Sequence, residues 1–170
     1  MPSWLTTNAP NAGDWYEVPS TDQNSIVPSP VPAGSVNSKC VAWNSYSIDT
    51  RDSKVYCAAN GGHADYSGNE VDCLSLETET PGWSVRRAPT AAASVNTNVH
   101  YADGRPGSRH SYYAQTVDVV NGRLLLFGGS RWNSGSPQTQ MDSFILTSDD
   151  WNAANTLDSS PESNGPSASD

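Results

Sequence analysis

Arg123-Leu124-Leu125-Leu126-Phe127-Gly128-Gly129 is a short apolar run closed by a glycine pair. It is too apolar to be solvated on either face and reads as a buried strand. The glycines let the chain leave that strand through dihedrals closed to residues with a Cβ, at a point where neighbouring strands crowd the exit. The same ending occurs in Lys54-Val55-Tyr56-Cys57-Ala58-Ala59-Asn60-Gly61-Gly62, so Gly62 and Gly129 stand 67 residues apart. A tryptophan follows each pair at nearly the same distance: Trp83 is 21 residues after Gly62, and Trp151 is 22 after Gly129. A long period with fixed internal landmarks signals a repeat architecture.

Each repeat reads as a four-stranded antiparallel unit. In the second, Ser111 to Val119 is rich in β-branched and aromatic residues, the composition of a strand. Val120-Asn121-Gly122 supplies an Asn-Gly hairpin turn. The run from Arg123 to Phe127, the run Ser143 to Thr147 and the region around Trp151 complete the unit. The first repeat has the matching parts in Lys39 to Ile48, a polar turn over residues 49–53, Lys54 to Ala58, Glu70 to Leu76 and Trp83 to Arg86. Helix signals are scarce, and Ala91-Ala92-Ala93 supports one turn at most.

This pattern resembles the kelch family of β-propellers, over roughly residues 35–155. The resemblance rests on the strand-Gly-Gly pairs, on Gly61 to Val71 leading to Trp83, and on Pro106-Gly107-Ser108-Arg109-His110 opening the second repeat. It implies an all-β fold of kelch-like propeller blades. The period exceeds the ~50 residues usual for kelch, and the excess falls in long loops at 87–105 and 130–140. The implied organisation is an N-terminal segment (1–34), a first blade (35–90), a long loop (91–104), a second blade (105–157) and a linker or start of a further blade (158–170). Trp15 in the first segment looks like the last strand of a preceding blade. Propellers close with roughly four to eight blades, so about two blades imply an incomplete propeller. It is either the N-terminal part of a longer one or a protomer completing a ring with other copies. A small self-standing sandwich is the alternative, but an open two-blade sheet exposes apolar edges.

The 170 residues carry a net charge of −9. That balance argues against a nucleic-acid backbone as partner, because such binding needs clustered Lys and Arg. No run of about 18 apolar residues predicts a membrane span, and the N-terminus lacks the pattern of a signal peptide. A low-charge chain heavy in Ser, Asn and Thr suits an extracellular or virion surface. Cys57 and Cys73 fall on neighbouring strands, so a disulfide between them is one reading. Three small buried apolar thiols, Cys40 included, is the favoured one. No C-x-x-C spacing points to zinc.

The candidate binding residues lie on loops, where propeller faces take ligands. His63, Asp65, Tyr66 and Glu70 follow the first glycine pair, Arg109 and His110 open the second repeat, and Arg131 and Trp132 follow the second pair. His63, Asp65 and Glu70 are cation ligands by type, yet too few for calcium. The favoured expectation is that Asp65, Ser67 and Asn69 hydrogen-bond the loop's own backbone, with no metal and no cofactor. Arg109 and His110 are expected at the central-channel end, where the resemblance implies an Arg that recognises acidic partners or braces a neighbouring blade. Trp132 is expected as an exposed stacking platform, with Tyr101, Tyr112 and Tyr113 adding aromatic surface suited to a glycan.

Catalytic signals are weak. The resemblance extends to galactose oxidase, whose copper site needs His and Tyr ligands with a Tyr–Cys crosslink. None of His63, His100 or His110 has a matching context. No Gly-x-Ser-x-Gly elbow occurs, and Thr147-Ser148-Asp149-Asp150-Trp151 lacks the glycine of a sialidase-type box. The resulting expectation is a non-enzymatic binding or assembly module with no catalytic residue assigned. Its partners would be another protein, or the blades or copies that complete the propeller, or a glycan. The alternative is the N-terminal part of a secreted carbohydrate-active or galactose-oxidase-like enzyme.

Overall fold

The computed structural model describes residues 2–4, 15–39, 43–62, 65–138 and 140–154. Ten strands occur in chain order: β1 (Ser47–Asp49), β2 (Lys54–Ala58), β3 (Val71–Ser75), β4 (Gly82–Arg87), β5 (Arg109–His110), β6 (Gln115–Asp118), β7 (Arg123–Phe127), β8 (Ser130–Arg131), β9 (Met141–Ile145) and β10 (Asp150–Trp151). β1-β2-β3-β4 form one antiparallel meander and β6-β7-β9-β10 a second, while β5 and β8 pair as a small ribbon. The fold is all-β. The named helical elements are single 3-10 turns at Gln23–Ser25, Val36–Lys39 and Ala92–Ser94, the last on the expected alanine run. The opening strands are shorter than the residue types suggest, because residues 111–114 and the stretch before Ser47 are drawn into loop contacts. No strand forms over residues 15–18, where the end of a preceding blade was expected, and Trp15 is 98% exposed. Residues 158–170 and Cys40 lie outside the described residues.

The two meanders share a register. The first hairpin of one sheet pairs Asp49 with Lys54, and that of the other pairs Asp118 with Arg123, each 69 positions on. Trp83 stands opposite Leu74, and Trp151 stands opposite Phe144 in the same place. The backbone repeats as well. Left-handed residues recur at Trp43 and Tyr112, at Ser53 and Gly122, and at Ala59 and Gly128, every pair 69 apart. The glycine pairs are therefore two residues out of register. Ala59 holds, in the first repeat, the left-handed strand exit that Gly128 holds in the second.

The core lies between the sheets. Tyr56, Ala58, Val71 and Cys73 on one face of the first sheet meet Leu124, Leu126, Phe144, Leu146 and Trp151 of the second. Phe144 and Trp151 meet edge to face, with ring centroids 5.3 Å apart. Burying each large apolar side chain contributes about 1.5–3 kcal/mol. Cys73 pairs with Tyr56 and projects into this core, whereas Cys57 pairs with Asp72 on the opposite face. Both cysteines are free and buried. The disulfide reading is thereby excluded, since side chains on opposite faces of a sheet cannot bridge.

The outer face of the first sheet is covered by the segment before it. Trp83 Nε1 donates to the Thr21 carbonyl at 2.9 Å. Lys39 Nζ lies 3.0 Å from Glu70 and 2.9 Å from Asp72, with all three side chains buried. Gln23 donates to Asp72 at 2.8 Å and accepts from the Tyr46 hydroxyl at 2.9 Å. Burial alone would pull the Lys39 ammonium down, but two carboxylates outweigh it and hold it above its ordinary value. Burial, with Glu70 beside it, pushes Asp72 up despite Lys39.

Candidate functional site

In both sheets the tight hairpins, residues 49–54 and 118–123, lie at one end, and the long connections leave from the other. The two sheets point the same way. Arg51 Nη1 donates to the Val119 carbonyl at the hairpin end, at 2.9 Å, and Gly61 N donates to the Arg109 carbonyl at the loop end, at 3.1 Å. All eight residues singled out from the sequence belong to loop-end segments of the chain. His63 lies outside the described residues. The rest fall into an inner, structural set and an outer, accessible one.

The inner set is larger than the residue types suggest. Arg109 is fully buried, so it does not line an open channel. It lies 3.0 Å from Asp142 and donates to the carbonyls of Gly107 and Gly128. Its strand β5 is clasped on both sides. Arg109 N donates to the Ala59 carbonyl on one edge, and β8 pairs on the other, Arg109 with Arg131 and His110 with Ser130. Tyr66 and Glu70 are buried and bonded to each other at 2.8 Å. Asn69 does not brace its own loop. It bonds Thr90 and the Pro106 carbonyl, tying down the long loop after β4. Trp132 is half-buried, with its backbone N–H on the Ser108 carbonyl at 2.8 Å, rather than an open platform. Arg86 and Arg87, read as a solvated strand end, pair with Asp149 and Asp150 of the second sheet.

Asp142 anchors this inner set. Its carboxylate accepts from His100 Nε2 at 2.7 Å and from Arg109 Nη2 at 3.0 Å. Burial alone would raise it, but the His100 hydrogen bond and the Arg109 charge outweigh burial and hold it below the usual carboxylate range. A carboxylate depressed in the folded state adds stability above its unfolded pKa of about 3.9, and that stability is lost as pH falls through the folded value. The stability gap between the protein and Asp142→Asn should accordingly be full at neutral pH and narrow below about pH 4. Urea titrations at a series of pH values measure it, and a gap independent of pH would refute the assignment.

The outer set centres on Asp65, whose side chain is 47% exposed and accepts from His110 Nε2 at 2.7 Å. The His110 ring meets Tyr112 edge-on at 6.0 Å, and Tyr112 meets Trp43 at 6.0 Å with planes inclined 59°. Tyr112 N donates to the Trp43 carbonyl at 2.7 Å. Trp43 is 56% exposed and Tyr113 is 96% exposed. The accessible aromatics are thus Trp43 and Tyr113, and Trp43 was not singled out from the sequence. Its only sequence signal is its place 69 residues before Tyr112. Among the described residues, no group of three His, Cys, Asp or Glu side chains is placed to hold a metal ion.

No family model matches this sequence, and no curated protein matches it.

Proposed function

We propose that the chain is part of a kelch-like β-propeller and acts as a non-enzymatic binding and assembly module. The observation that carries this reading is the shared register of the two sheets. Leu125, Phe127, Met141 and Ile145 occupy the places of Tyr56, Ala58, Val71 and Ser75. In the first sheet Tyr56, Ala58 and Val71 are buried against the second. In the second sheet the four equivalents are only half-buried and stand outside the core. A face that one repeat buries against the next is left, on the last repeat, without a sheet of its own kind. Its occupant is a further four-stranded sheet, from the remainder of a longer protein or from another copy. The loop end then carries recognition of a partner. The weakly charged, Ser- and Asn-rich composition supports a setting outside a cell or on a virion.

The test is the association state. Sedimentation of the chain is expected to show self-association, and Phe127→Asp together with Ile145→Lys should abolish it. A monodisperse monomer at every concentration would overturn the reading, because the outer face would then need no cover.

A further inference from the structure

We propose that Trp43 and Tyr112, with the Asp65 carboxylate beside them, bind a cationic side chain of a basic polypeptide partner. The inference rests on the recognition role proposed above and names the ligand chemistry.

Trp43 has φ 77° and Tyr112 φ 49°. Bulky residues with left-handed backbone are uncommon, and such conformations persist only where the surroundings hold them. Here a direct backbone hydrogen bond joins the two residues, and each precedes the first strand of its own sheet by the same spacing. The repeat thus brings one aromatic from each sheet to a common point. Core packing does not account for the arrangement, because Trp43 stays largely exposed.

Two ring faces inclined at 59° suit a compact charge better than a flat sugar ring, which wants one broad face. A cation is drawn to the faces of Trp and Tyr. Asp65 supplies a half-exposed carboxylate on the far side of the His110 ring. Arg109, the neighbouring basic residue in the chain, is turned inward onto Asp142. The chain's net charge of −9 adds a long-range attraction for basic partners.

The experiment titrates the full chain with tetramethylammonium chloride and with a Lys/Arg-rich peptide, following the Trp43 indole by NMR. Saturable shifts are expected. Trp43→Gly and Tyr112→Gly should weaken peptide binding at least tenfold, and Asp65→Asn several-fold. Glycine relieves a left-handed residue, so the melting temperatures of both glycine variants should hold or rise. A fall in melting temperature would mark the pair as structural and overturn the proposal. Equal peptide binding by all variants would reduce the attraction to net charge alone and would also overturn it. Saturation by neutral cellohexaose, with no response to the cation, would assign a glycan instead. Sedimentation on the same preparations separates the two readings: association without cation binding removes this inference and leaves the assembly role.

Discussion

Lys39→Met will destabilise the protein by about 3–5 kcal/mol, the usual cost of removing one partner from a buried ion pair. Lys39 is the cation facing Glu70 and Asp72, and all three side chains are buried. Without it, two carboxylates are left close together out of water, one of them already pushed up by burial. Glu70 Oε2 and Asp72 Oδ1 have no hydrogen-bond partner among the described residues, so nothing stands ready to compensate. The loss also frees the 3-10 turn Val36–Lys39 from the first sheet. Urea denaturation measures the effect. The triple variant Lys39→Met, Glu70→Gln, Asp72→Asn should recover much of the loss, because neutral groups need no counter-charge. Failure to recover would place the cost in packing rather than in charge.

Gly62→Ala is expected to prevent stable folding, at about 3 kcal/mol or more. A Cβ there would lie 2.1 Å from the His110 nitrogen, 2.4 Å from the Arg109 carbonyl carbon and 2.5 Å from the Ser130 oxygen. All three are backbone atoms of the β5–β8 ribbon, which cannot swing aside as a side chain would. The φ of +40° adds left-handed strain. Gly122→Ala is the control: φ is +62° and nothing lies within 4 Å, so only strain remains, about 1–2 kcal/mol. Equal melting temperatures for the two variants would show that crowding at Gly62 has no weight.

The four-stranded meanders were legible because each strand announces itself locally. Leu124 to Phe127 is apolar, Asn121-Gly122 marks its hairpin, and Trp83 and Trp151 keep their spacing. The β5–β8 ribbon was not legible. Two residues a side carry no periodicity, and its existence depends on glycine exits from two sheets meeting at one place. The same blindness misplaced Arg109. A guanidinium on a loop reads as accessible, and only the fold shows Asp142 waiting beneath it. Asp65 was recognised as a loop-end carboxylate, but its partner His110 lies 45 residues away, too far for local spacing to reveal. Trp43 escaped because its left-handed backbone is imposed by the packing of Tyr112 against it, not by any residue preference of its own.

The clasp around β5 bears on how such a chain can be recombined. Arg109 and His110 precede the second meander in sequence, yet they hydrogen-bond the exit of the first. A crossover or graft placed just before residue 105 would hand β5 to the incoming partner and leave the first sheet's glycine exit open to water. A boundary just past residue 114 keeps that exit closed. The exchangeable unit is therefore offset from the visible repeat by about one short strand, and chimeras cut at the glycine landmarks should fail where those cut after Ala114 succeed.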